Sequence, residues 1–119
     1  MIGLATGNAP RIEAPGVARV IRDLVRIRSI NPAAPGGNGE NEIAEYIANW
    51  LRERGLEVTL QEVVNGRKNA VGVLKGSGGG RTLMLNGHTD TVAVEGMRID
   101  PFAGRVDRMG NLHGRGAST

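Results

Sequence analysis

A histidine and an aspartate, His88 and Asp90, stand two residues apart in the stretch GHTDTV, residues 87–92. In extended backbone, side chains at i and i+2 point the same way. An imidazole can then face a cleft with a carboxylate beside it. A metal-bound histidine needs that arrangement. One ring nitrogen holds the metal. The other donates to a carboxylate, which fixes the tautomer and raises the basicity of the ligand. Taken alone, His-x-Asp is a weak signal, since most such pairs are structural or incidental. Its place is better evidence. The pair follows LMLN, which reads as a buried strand, and sites in open α/β sheets lie at the carboxyl ends of strands.

Other chemistries find less support. The run GSGGG lacks the Gly-Lys-Ser/Thr end of a phosphate loop, and Arg81 stands where G-x-G-x-x-G needs its last glycine. It also precedes a strand rather than a helix, so it reads as a surface loop. There is no G-x-S-x-G elbow and no His-Glu-x-x-His. Cysteine is absent, which removes disulfide and thiolate chemistry and suits a cytoplasmic location.

The elements that must hold the pair follow from hydrophobic spacing. Val17, Val20, Ile21, Leu24 and Val25 predict an amphipathic helix over 15–28, with Pro15 in its first turn. Asn31-Pro32 and PAAPGGNG form a loop. Ile43, Tyr46, Ile47, Trp50 and Leu51 make the stripe of a second helix. Glu40 and Glu42 lie at its positive end, Arg52 and Arg54 at its negative end, and Gly55 stops it. The period then changes to two. LEVTLQEV puts Leu56, Val58 and Leu60 on one side, Asn65-Gly66 signals a turn, and NAVGVL returns antiparallel. RTLMLN reads as a third, central strand, and FAGRV and LHGRG as short strands joined across DRMGN. The expected fold class is α/β, with a mixed sheet flanked by helices.

The chain has 119 residues and a net charge of +3. Its isoelectric point of about 10.2 invites a nucleic-acid partner. Scattered arginines, 12 acidic residues and one each of Phe, Tyr and Trp argue against one. Arg19, Arg22 and Arg26 share a helix face that reads as solvated. No apolar run approaches the roughly 20 residues of a membrane span, and MIGLATGNAP does not read as a signal peptide. Residues 1–13 read as a flexible tail.

LMLNGHTDTV, DPFAGRV and GNLHGRGAS, in this order and spacing, resemble the metal-dependent M20 peptidase family. That family includes acetylornithine deacetylase, succinyl-diaminopimelate desuccinylase, carboxypeptidase G2-like enzymes and aminoacylases. The similarity runs from about Gly16 to the last residue. It implies an α/β zinc-peptidase-like catalytic domain, of which residues 14–119 are the N-terminal portion. It implies two divalent metal ions in the complete enzyme, zinc first, with cobalt or manganese compatible. The implied reaction is amide hydrolysis with metal-activated water, on an N-acyl amino acid or peptide. His88 matches the family's first metal-ligand histidine, and Asp90 the catalytic aspartate that orients it. His113 matches no ligand and reads as structural. The family's metal-bridging aspartate is expected at position 119, where this chain has Thr119. The later ligands and the insert domain through which members often dimerise are not in these 119 residues, so a homodimer is expected only where that domain exists.

Two readings follow. In the first, the chain is the N-terminal segment of an M20-type amidohydrolase, inactive by itself. In the second, it is a truncated, non-catalytic homologue that binds or interacts, or has no function.

Overall fold

The computed structural model describes residues 14–116. The expected tail, residues 1–13, and Thr119 lie outside them. Helix α1 spans Ala14–Arg26 and helix α2 spans Asn41–Arg52. Strands β1, Glu57–Val64, and β2, Arg67–Val73, follow, and then β3, Arg105–Val106, and β4, Leu112–His113.

Helix α1 ends two residues before the expected 28. Ile27 N–H closes a last tight turn on Leu24 O at 3.3 Å, and the backbone then extends into Ser29 and Ile30. Helix α2 buries Ile43, Ala44 and Ala48, while Tyr46, Ile47, Trp50 and Leu51 are half-buried. Small alanines beside the apolar stripe let the helix lie close on the β1–β2 hairpin. Glu40 precedes α2 and is buried, yet its carboxylate does not cap the helix. It accepts instead from Arg67 Nε at 2.8 Å and from Arg67 Nη2, which ties the start of α2 to the start of β2. The pairing compensates the buried Glu40 carboxylate, while Arg67 stays partly exposed. The two helices are joined by Tyr46 Oη, which donates to Asp23 Oδ2 at 3.2 Å.

The hairpin is as its sequence predicts. Leu56, Val58 and Leu60 are half-buried, and Glu57, Thr59 and Gln61 are exposed. Asn65 and Gly66 take φ of 48° and 76°, the left-handed pair that a two-residue hairpin turn needs. β1 and β2 pair antiparallel, with a register shift between Glu62 and Val64.

Two expectations fail. The sheet is not mixed: the described residues form two separate antiparallel pairs, β1–β2 and β3–β4, plus one isolated parallel bridge between Ile30 and Thr91. RTLMLN is not a central strand. Residues 81–90 form no regular element, and Leu83, Met84 and Leu85 are 81%, 77% and 87% exposed. Uniform apolarity reports a need for cover on both faces. No strand among the described residues lies beside this segment to give it hydrogen bonds or cover.

The expected hairpin across DRMGN is present as β3–β4, with Arg105 opposite His113 and Val106 opposite Leu112. Asp107 organises its turn. Oδ1 accepts from the N–H groups of Met109 and Asn111, both at 2.9 Å. Oδ2 accepts from Asn111 Nδ2 at 3.0 Å and pairs with His113 Nε2 at 2.9 Å. The His113 contact, then the Asn111 contacts, hold the Asp107 carboxyl well below the usual carboxylate range. A carboxyl with a depressed folded pKa contributes stability above its unfolded value, about 3.9, and loses it as pH falls through the folded value. Asp107→Asn is therefore expected to flatten the acid side of the stability curve. Denaturation midpoints taken from about pH 5 to about pH 2 check this. Identical slopes for variant and wild type would refute it.

The segment after β4 packs back on α1. Gly114 is buried, and a Cβ there would lie 2.3 Å from Val25 Cγ1. Arg115 is 6% exposed, and its Nη2 donates to Leu24 O at 3.3 Å, to Ile27 O and to Ser29 Oγ at 3.1 Å. The last carbonyls of a helix have no partners within it. Here a buried guanidinium supplies them, and its charge complements the negative helix end. Burial lowers the Arg115 pKa, but an arginine keeps its charge.

Candidate metal centre

The site is assembled on Ser29, Ile30 and Asn31, where the chain leaves α1. Ser29 and Ile30 are fully buried. Ser29 O accepts from Thr91 N–H at 2.8 Å and from Thr91 Oγ1 at 3.1 Å. Asn31 N–H donates to Thr91 O at 2.9 Å. These bonds form the parallel bridge and hold the backbone next to Asp90. Asn38 closes the loop from the other side. Its Nδ2 donates to Arg28 O at 2.9 Å, and its Oδ1 accepts from Ile30 N–H at 3.1 Å.

The loop needs glycine at position 37. An added Cβ would lie 2.3 Å from Asn31 O, 2.8 Å from Pro32 Cα and 2.9 Å from Ala34 O. All three are backbone atoms, so no side chain can yield. Gly37→Ala is expected to cost about 1–3 kcal/mol, as overpacking does, and to lower the melting temperature. An unchanged melting temperature would show that the loop adapts freely.

His88 and Asp90 are in contact, which their spacing allows but does not by itself show. His88 Nδ1 lies 2.9 Å from Asp90 Oδ1 and 2.9 Å from Asp90 O. A carbonyl oxygen and an ionised carboxylate only accept hydrogen bonds. Nδ1 must therefore carry a proton. The imidazole is 84% exposed and Asp90 is 30% exposed. Both line an open concavity of 310 Å³, with Asn31, Ala34 and Val92 among its other walls. Asp90 Oδ2 accepts from Asn31 Nδ2 at 2.7 Å. Asn31 first, and then His88, hold the Asp90 carboxyl below its ordinary value.

This arrangement suits one metal ligand and its outer partner: an exposed imidazole oriented by a carboxylate through Nδ1. Among the described residues no three His, Cys, Asp or Glu side chains gather to hold an ion. His113 is drawn to Asp107 instead. Asn31, Ser29 and Arg115 were not anticipated as contributors. Asn-Pro signalled only a turn, and Arg115 lay unremarked between two glycines. Their roles depend on contacts between segments far apart in sequence.

The segments so joined are shared with known proteins. The chain is 37% identical over 100 residues to a [LysW]-lysine hydrolase of Deinococcus radiodurans, covering 84% of this chain and 24% of that protein. It is 36% identical over 110 residues to the pig aminoacylase-1, covering 88% and 25%. It is 32% identical over 95 residues to an acetylornithine deacetylase of Vibrio atlanticus, covering 77% and 25%. All three are M20 proteins. This chain belongs to the M20 family. The M20 chain spans about a quarter of the length of these relatives. No family model matches it. No solved structure matches it either. By name these relatives are a hydrolase, an aminoacylase and a deacetylase. None of its described helices is long and apolar enough to cross a membrane.

Proposed function

We propose that this M20 chain carries the His88–Asp90 part of a metal-dependent amidohydrolase that acts on N-acyl amino acids or short peptides. The observation that supports this reading most is the 2.9 Å contact of His88 Nδ1 with Asp90 Oδ1, in an imidazole that lines an open concavity. A divalent metal, zinc first and cobalt or manganese next, would be held by His88 Nε2. When bound, it supplies Lewis acidity to an amide carbonyl and makes water acidic enough to ionise near neutral pH.

The chain's own residues have narrower tasks. His88 provides the ligand. Asp90 keeps the proton on Nδ1 and stops the ring from turning. The backbone bonds of Thr91 to Ser29 and Asn31 keep Asp90 in place. A catalytic zinc commonly takes about three protein ligands. Only His88 is so placed among the described residues, and residues 1–119 alone are expected to be inactive.

The test uses the full-length protein, with a panel of N-acetylated and N-formylated amino acids and dipeptides. Hydrolysis that is lost to a chelator and restored by zinc, cobalt or manganese supports the reading. Hydrolysis indifferent to chelation would refute the metal-dependent part. No hydrolysis of any member, with or without added metal, would favour the non-catalytic alternative.

A further inference from the structure

We propose that Asn31 is a positioning residue for the ligand histidine and acts through Asp90. The inference rests on the reading of His88 as a metal ligand. The Asn31 amide is fixed at both ends. Its Oδ1 accepts from Ala33 N–H at 2.9 Å, so its Nδ2 faces Asp90 and donates to Oδ2 at 2.7 Å. The other oxygen of Asp90 holds His88 Nδ1. Each carboxylate oxygen thus has its own directional partner. The carboxylate cannot rotate without breaking one of the two bonds.

The base of this series is rigid. Asn31 follows Ile30, which is fully buried, and its own N–H is bonded to Thr91 O. Bonds to a charged acceptor are the short, strong kind. Order therefore passes from a buried backbone, through an amide and a carboxylate, to an imidazole that is itself almost wholly exposed. An exposed ring has little packing to hold it, so its direction depends on this series of bonds together with the Asp90 carbonyl, which also lies 2.9 Å from Nδ1.

The alternative is that Asn31 only shapes the Asn-Pro turn. Serine separates the two roles. Its hydroxyl can take the Ala33 N–H and keep the turn, but it is too short to reach Asp90. Aspartate separates them in another way. It keeps the size and the Ala33 bond, and sets a carboxylate against Asp90.

The experiment measures zinc dissociation constants of the full-length protein by competition with a chelating indicator, together with the His88 ring tautomer by nitrogen-15 NMR. Asn31→Ser is expected to weaken zinc about 10-fold, within the 10–100-fold range for outer partners of a ligand. The His88 ring should lose its strict preference for Nδ1–H, which a turn-shaping role would leave untouched. Asn31→Asp should weaken zinc further. In an Asp90→Ala background neither substitution should add a loss, because the link to His88 is already cut. Should Asn31→Ser melt too early to measure, Asn31→Asp and its double variant carry the same comparison. Wild-type zinc affinity and tautomer in both Asn31 variants would overturn the proposal, as would full additivity with Asp90→Ala. His88→Ala tells the two levels apart. Zinc loss there, with intact Asn31 variants, overturns the role of Asn31 alone. Unchanged zinc binding in His88→Ala overturns the metal reading and this proposal with it.

Discussion

His88→Ala in the full-length protein is expected to lower kcat/KM for amide hydrolysis by more than the roughly 100-fold that loss of an outer partner costs. On the proposed reading it removes a ligand rather than the group that orients one. Metal content should fall in parallel. Stability should hardly move. The imidazole is 84% exposed, and exposed substitutions away from special features usually stay within about 0.5 kcal/mol. The combination is diagnostic: a large kinetic loss, lost metal and, with both proteins stripped of metal by a chelator, an unchanged melting temperature. Steady-state kinetics, metal analysis and a melting curve on one preparation suffice. A variant that keeps both its zinc and its rate would show that His88 is not a ligand. One that loses rate only by unfolding would reveal a structural histidine.

The second large effect is on stability. Arg115→Met is expected to destabilise the protein by about 1–3 kcal/mol, the cost of a buried acceptor left without its donor, since Ser29 Oγ is buried while Leu24 O keeps the Ile27 N–H. Methionine fills similar space but leaves Leu24 O, Ile27 O and Ser29 Oγ without the guanidinium. Arg115→Lys should recover only part of the loss, because an ammonium is a point charge without the planar fork. Urea denaturation of the three proteins measures this. A loss below about 1 kcal/mol for Arg115→Met would show that water replaces the guanidinium freely.

What could be read in the chain divides along the range of the forces involved. The stripe of α2, the alternation of Leu56, Val58 and Leu60, and the Asn65-Gly66 turn are local. Each is set by backbone period or by residues adjacent in sequence, and the structure shows each. The His88–Asp90 contact is local too, since two residues of backbone suffice to bring the side chains together. LMLN was misread because its composition describes surroundings, and the described residues do not furnish them. Asn31 could not be found from spacing. It meets Asp90 across 59 positions, and an asparagine before a proline has a sufficient local explanation as a turn. Arg115 was hidden for a similar reason. Arginines are mostly exposed, and nothing nearby in sequence marks this one as buried against a helix end.

The short segment Ser29–Asn31 also governs when the site can exist. Thr91 reaches Ser29 across 62 positions, and Arg115 reaches it across 86. Contacts of such separation form slowly, because a long stretch of chain must be closed before any bond is gained. Helix α2 and the hairpin can condense from neighbouring residues as they leave the ribosome. The nascent chain must wait for Thr91 before the Asp90 backbone is anchored, and for Arg115 before Ser29 is locked to the end of α1. The His88–Asp90 pair is thus anchored late in the life of the polypeptide, only after most of these residues have been synthesised.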